Sequence, residues 1–256
     1  MMELNDSILI QFPYQYREFT GAVEHTELTD IDRAVGSFFQ GVLDTLHVVD
    51  RARKENEEFA RFCDKPRQHK LFGGEFLSPQ DFLQKLTSKT GKQIKAERNE
   101  LLPSAYITRD PVISFPTGDA YIDITGYGEL HTSDGKPYAA VNKSFVTLAY
   151  TLTAVAWNKS TLARMALGVM MWTRHQKKGR KHVFQAQTKL AGSPMSINIE
   201  LTAIKDAMAE PAEIDHENTR LYASTIRFEV ISEIYEAEAL TEKTGRIEVG
   251  GGVAIE

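Results

Sequence analysis

The feature that most constrains this chain is a change of hydrophobic period near residue 100, from helical spacing to strict alternation. Val146, Leu148, Tyr150, Leu152, Ala154 and Ala156 alternate with mostly threonine. A period of two puts every second side chain on one face, so this stretch predicts a strand with one buried side. Met195, Ile197, Ile199, Leu201 and Ala203 repeat the pattern, as do Tyr222, Ile226, Phe228, Val230 and Ile234. Between the first two runs, Asn158 and Ser160 offer caps for a helix whose apolar stripe is Leu162, Met165, Ala166, Val169, Met170 and Thr173. The order is strand, helix, strand, long loop, strand.

Upstream, residues 106–115 and 121–130 read as strands interrupted at Pro111 and Pro116, and Ser133-Asp134-Gly135-Lys136 supplies a tight hairpin turn. The first 95 residues read differently. Thr29 and Asp32 form a capping-box variant ahead of Ile31, Val35, Phe38, Phe39, Val42, Leu46 and Val49, with 51–58 as the solvated continuation of that helix. Ser78-Pro79 starts a shorter helix that ends before Gly91. Residues 7–25 predict a strand or extended arm, which Pro13 confines to an edge. These elements give an α+β fold class: a mainly antiparallel sheet with packed helices, a helical N-terminal region and a flexible C-terminal tail. The organisation is 1–95 helical region and arm, 96–240 α+β domain, and 241–256 tail, where Gly245 and Gly250 to Gly252 predict mobility. Within that tail Arg246, Ile247 and Val249 alternate like a short strand, suited to adding to a neighbour's sheet edge.

Composition excludes several classes. A formal net charge of −5 carries no global basic excess for nucleic acid or an anionic membrane. One cysteine, Cys63, rules out an intrachain disulfide and points to a reducing compartment. No basic start followed by an apolar run suggests a signal peptide, and no long apolar window suggests a membrane span.

Chemistry-bearing patterns are sparse. The histidines at 25, 47, 69, 131, 175, 182 and 216 lack metal-ligand spacing, so no metal and no cofactor are expected. Gly126-Tyr127-Gly128 and Gly73-Gly74 lack the strand and helix context of a phosphate loop and read as turns. Asp119, Asp123 and Glu129 read as a shared polar face rather than an acid–base pair. Phe38 and Phe39 read as core. Local charge stands out at Arg174, Lys177, Lys178, Arg180 and Lys181, either a solvated loop or a docking element for an acidic protein surface or for DNA phosphates. No aromatic residues interleave with these cations, which favours protein.

The run from Val146 to Trp157, the following helix, Met195 to Leu201, then Asp215 to Arg220 leading into Ser224 to Val230, resembles the tail-sheath stabiliser and completion proteins of T-even-type contractile phages. Leu101 to Val112 is similar to the segment that precedes this core in that family. The resemblance spans residues 97–240; residues 1–95 carry more helix than the family. It implies a non-enzymatic virion protein, assembled in the host cytoplasm, that forms a homohexameric ring at the head-proximal tail end. Its implied partners are further copies of itself, tail tube and sheath proteins, and neck or head-completion proteins. DNA would only pass through the ring, and no membrane is involved. The alternatives are another neck or baseplate ring protein, or a small-molecule enzyme using the 121–138 hairpin.

Overall fold

The computed structural model describes residues 9–90, 101–174, 182–202, 208–212 and 221–250. Among these the chain forms one nine-stranded sheet and four α-helices, a mixed α+β architecture in which strands dominate. The strands are β1 (Leu9–His25), β2 (Leu71–Gly73), β3 (Ser104–Ser114), β4 (Ile124–His131), β5 (Pro137–Ala156), β6 (Val183–Leu190), β7 (Ser193–Leu201), β8 (Ala209–Ala212) and β9 (Tyr222–Gly250). The helices are α1 (Leu28–Asp44), α2 (Glu57–Asp64), α3 (Pro79–Thr90) and α4 (Lys159–Arg174).

β5 and β9 form the spine, paired antiparallel without a break from Ala139↔Ala239 to Ala156↔Tyr222. β3 and β4 share the outer edge of β5, while β8, β7 and β1 share the outer edge of β9 in succession. All pairings are antiparallel except β2 with β3. The turn at 132–136 closes β4 onto β5: Gly135 N–H donates to Thr132 O at 2.9 Å, and the φ of +78° at Gly135 is one that glycine adopts without strain.

The main core lies where α1, α2 and α4 cover the sheet, and it draws on Phe39 and Phe62 from the helices and Leu148, Phe228 and Val230 from the spine. A smaller core gathers Phe82, Leu86, Leu102, Tyr106 and Val155 under α3. Consequently β5 is buried on both faces from Leu152 to Ala156. α4 and the segment after α1 approach closely at Gly168, where a Cβ would lie 2.5 Å from Leu46 Cδ2.

Several boundaries differ from the sequence reading for local reasons. α1 begins at Leu28 behind Glu27, which makes no side-chain cap, and Asp32 spends its carboxylate on partners across the fold instead. The helix does not continue through 51–58. It stops at Asp44, where the Thr45 hydroxyl donates to Val42 O at 2.7 Å and competes with the helical ladder. The β-branched Val48-Val49 pair follows, and α2 starts afresh at Glu57. The other starts agree with expectation: Ser78 Oγ accepts from Asp81 N–H at 3.2 Å and Asn158 Oδ1 accepts from Thr161 N–H at 2.9 Å.

Alternation along the spine changes phase. Ile226, Phe228 and Val230 are buried, as expected, but Ser232 and Glu233 are both buried and Tyr235 and Ala237 then take the inside, leaving Ile234 only partly covered. β5 changes in step, from Ala139 and Val141 to Val146 and Leu148, while the pairing stays continuous.

Candidate functional site

Three places in the fold collect polar or unpartnered groups. The first lies between the start of α1 and the β2–β3 edge. Asp32 projects from α1 and accepts from Arg109 Nε of β3 at 2.9 Å and from the Tyr150 hydroxyl of β5 at 2.6 Å. Burial, reinforced by the Asp32 carboxylate, pushes the Tyr150 phenol far above its ordinary value, so it is a fixed donor and not a base. A cavity of about 440 Å³ opens beside this cluster, lined also by Arg33, Gln40, Gly74 and Thr108. The hydroxyl of Ser37 on its wall already donates to Arg33 O at 2.9 Å. The arrangement ties α1 to the sheet and offers a guanidinium to a solute.

The second place is the phase change in the spine. Glu233, 7% exposed, accepts from Lys143 Nζ at 2.7 Å, from Asn198 N–H at 2.7 Å and from Asn198 Nδ2 at 3.0 Å. Burial pushes this carboxyl up, but the hydrogen bonds from Lys143 and Asn198 outweigh it and hold the group below the usual carboxylate range. Lys143 in turn lies 5.1–5.9 Å from the ring centres of Phe145, Tyr127 and Tyr235. A desolvated ion pair enclosed by aromatic rings joins β5, β9 and β7 at the level where the buried face changes.

The third place is the end of the spine. β5 begins at Pro137, yet β9 runs on to Gly250, paired with β1 from Phe19↔Leu240 to Leu9↔Gly250. This stretch is a two-stranded ribbon made of both ends of the described chain. At about 3.3 Å per residue it extends roughly 35 Å beyond the sheet. Lys243 pairs with Glu18 along it, and Arg17 reaches Glu129 of β4 at its base. The exposed Phe19 and Val23 lie on the same strand.

The sequence-predicted residues fall out as follows. Arg246, Ile247 and Val249 stand in the ribbon opposite Pro13, Phe12 and Ile10. The expected mobile tail is therefore paired through Gly250, because its strand-like alternation finds a partner at the other end of the chain; residues 251–256 lie outside the described residues. Pro13 sits in an edge strand, as its missing N–H requires. Arg174 is exposed at the C-terminus of α4, while Lys177, Lys178, Arg180 and Lys181 lie outside the described residues. His182, just beyond them, is buried with Nε2 2.7 Å from Thr173 O. Cys63 is a half-buried thiol at the end of α2, pushed up by burial.

Among the described residues no group of three or more His, Cys, Asp or Glu side chains is placed to hold a metal ion. No described helix is long and apolar enough to cross a membrane. No protein-family profile matches the chain, and no curated protein matches it significantly.

Proposed function

We propose that this chain is a structural subunit of a contractile phage tail, a completion ring that caps the head-proximal end and joins it to the neck. One observation carries the reading beyond the resemblance at 97–240: the terminal ribbon, a paired extension with no further strand beside it from Leu240 to Gly250 among the described residues. Two strands alone are marginal in water, so such a ribbon acquires its stability from what it docks against. Its open edges offer backbone hydrogen bonds to neighbouring copies or to sheath and tube proteins. In this reading the ring is a homohexamer, no catalysis and no cofactor are required, and DNA passes through without specific contact. The basic run 174–181 then meets an acidic neighbour.

Electron microscopy of particles carrying a labelled copy tests this directly. Label confined to the head-proximal tail end agrees with the proposal, and label at the baseplate, or none in the particle, defeats it. A second reading, small-molecule binding, is favoured by the cavity beside Asp32 and Arg109. A rise in melting temperature with a metabolite panel, lost in Arg109→Ala, supports it.

A further inference from the structure

Two exposed apolar surfaces remain unpartnered among the described residues, and the charges carried by their elements are opposite. The first follows the β3–β4 edge, where Val112, Ile113, Phe115, Ile122 and Ile124 are all exposed, Phe115 at 72%. Residues 110–128 contain Asp110, Asp119 and Asp123 and neither lysine nor arginine. None of these carboxylates has an ion pair among the described residues. The second is a groove of about 430 Å³ along the outer face of α4, bordered by Val49, Leu167, Gly168 and Met171. Val49 is 91% exposed, and Leu167 and Met171 are exposed one helical turn apart. α4 contains Lys159, Arg164 and Arg174 and no carboxylate; of these Arg164 lines the groove, and the one carboxylate in the lining, Asp50, is already paired with Arg53 at 3.0 Å. Arg164 rests over the Phe59 ring at 6.0 Å, and neither it nor Arg174 has an ion pair among the described residues.

Contiguous exposed apolar side chains with charged rims mark contact surfaces. Here one chain holds both halves: an acidic-rimmed apolar edge, and an apolar groove along a basic helix whose one lining carboxylate is already paired, on different elements. We infer that the β3–β4 edge of one copy docks into the α4 groove of the next, with Asp110, Asp119 and Asp123 facing Arg164 and Arg174. Two different patches make this a head-to-tail contact, which closes into a ring or propagates as a filament according to its rotation. The contact rests on the ring reading for its purpose and gives that reading a specific subunit interface.

Charge exchange tests it on the full-length chain. One variant carries Asp119→Lys and Asp123→Lys, the other Arg164→Glu and Arg174→Glu; all four side chains lie at or near the surface, and an unchanged melting curve verifies folding. Solution mass by sedimentation is the readout, across a rising protein concentration. The wild type should self-associate, less so in high salt. Each variant faces like with like and should associate about a hundredfold more weakly. Mixing the two variants should restore assembly, because each supplies the face that the other's altered surface needs. Combining all four changes in one chain should restore it too. A wild type that stays monomeric at the highest concentration would overturn the contact, as would variants that assemble normally or a mixture that fails to recover. Such failures leave the tail position of the protein, read by labelling in particles, untouched.

Discussion

The two spine strands are built on different physical principles at their two ends. Where Val146–Ala156 of β5 meets Tyr222–Ser232 of β9, alternate apolar side chains sit under α1, α2 and α4: Phe228 has its ring centre 4.1 Å from Phe39 and 5.7 Å from Tyr150. Below Glu233 the same strands bury an ion pair, and β9 then leaves the sheet for the ribbon with β1. β9 stays paired through both, with a single β-bulge in β1 between Phe19 and Val23 where the ribbon begins. Pairing alone therefore does not specify stability. The covered half is held by apolar burial from its own chain, and the ribbon half, in the ring proposed above, leaves part of its stabilisation to neighbours.

The largest effect should come from placing a charge in the covered half. Phe228→Asp buries an unpaired carboxylate at a site 4% exposed, costing several kcal/mol against a typical total of roughly 5–15 kcal/mol. Insoluble or unfolded protein is expected by circular dichroism; soluble protein with the wild-type melting curve would show the register to be wrong.

Next comes the junction. Lys143→Met leaves Glu233 buried without its cation and should cost about 3–5 kcal/mol. The pH dependence should weaken. In the wild type the carboxyl titrates below its unfolded value, so its contribution is present above the unfolded value and is lost as pH falls through the folded one. Without Lys143 only the two Asn198 hydrogen bonds oppose burial, the folded value moves up, and the loss of stability on acidification should shrink. Parallel denaturation curves for both proteins across that range would remove the ion pair from the account.

How much of this was legible beforehand follows the same division. The covered half could be read because Val146 to Ala156 and Ile226 to Val230 alternate apolar with polar, the signature of one buried face. The phase change could not, since Ile234 continues the apolar pattern while the buried positions pass to Glu233 and Tyr235. β6 was missed because its inward residues are Ala186, Thr188 and Leu190, a weak apolar signal beside a basic run. The ribbon's strands were each visible as fragments, yet Pro13 and Gly245 argue locally against regular structure. Their partnership joins residues at opposite ends of the sequence. Likewise Asp32 lies 77 residues from Arg109 and 118 from Tyr150, so no local motif could announce that cluster.

A smaller effect should appear at Lys65, which bridges α2 to the start of β3 by donating to Leu101 O at 2.6 Å and Pro103 O at 2.8 Å. Burial, helped by the Arg61 charge, pulls its ammonium down to about 8. The unfolded chain then holds the proton more tightly, so stability should rise with pH from about 8 toward the ordinary lysine value, by on the order of 3 kcal/mol in full. Above roughly pH 10 the raised phenols of Tyr150 and Tyr235 oppose the gain. Lys65→Met should flatten the rise between pH 8 and 10; a slope equal to the wild type would assign the effect elsewhere.

The smallest effect on folding should follow deletion of residues 241–256, which shortens the ribbon and leaves the covered half intact. The melting free energy should change by under about 1 kcal/mol, as expected for a segment at the low-stability end of the molecule. Tail completion should nonetheless fail. A large drop in melting temperature would place the ribbon within the cooperative core.

Amide hydrogen exchange on the free subunit and on assembled particles tests most directly the claim that the ribbon half is completed by neighbours. Residues 146–156 and 222–232 should be protected in both states. Residues 9–19 and 240–250 should exchange rapidly in the free protein and slowly in the particle. Strong ribbon protection already present in the isolated subunit, or none gained on assembly, would contradict the account.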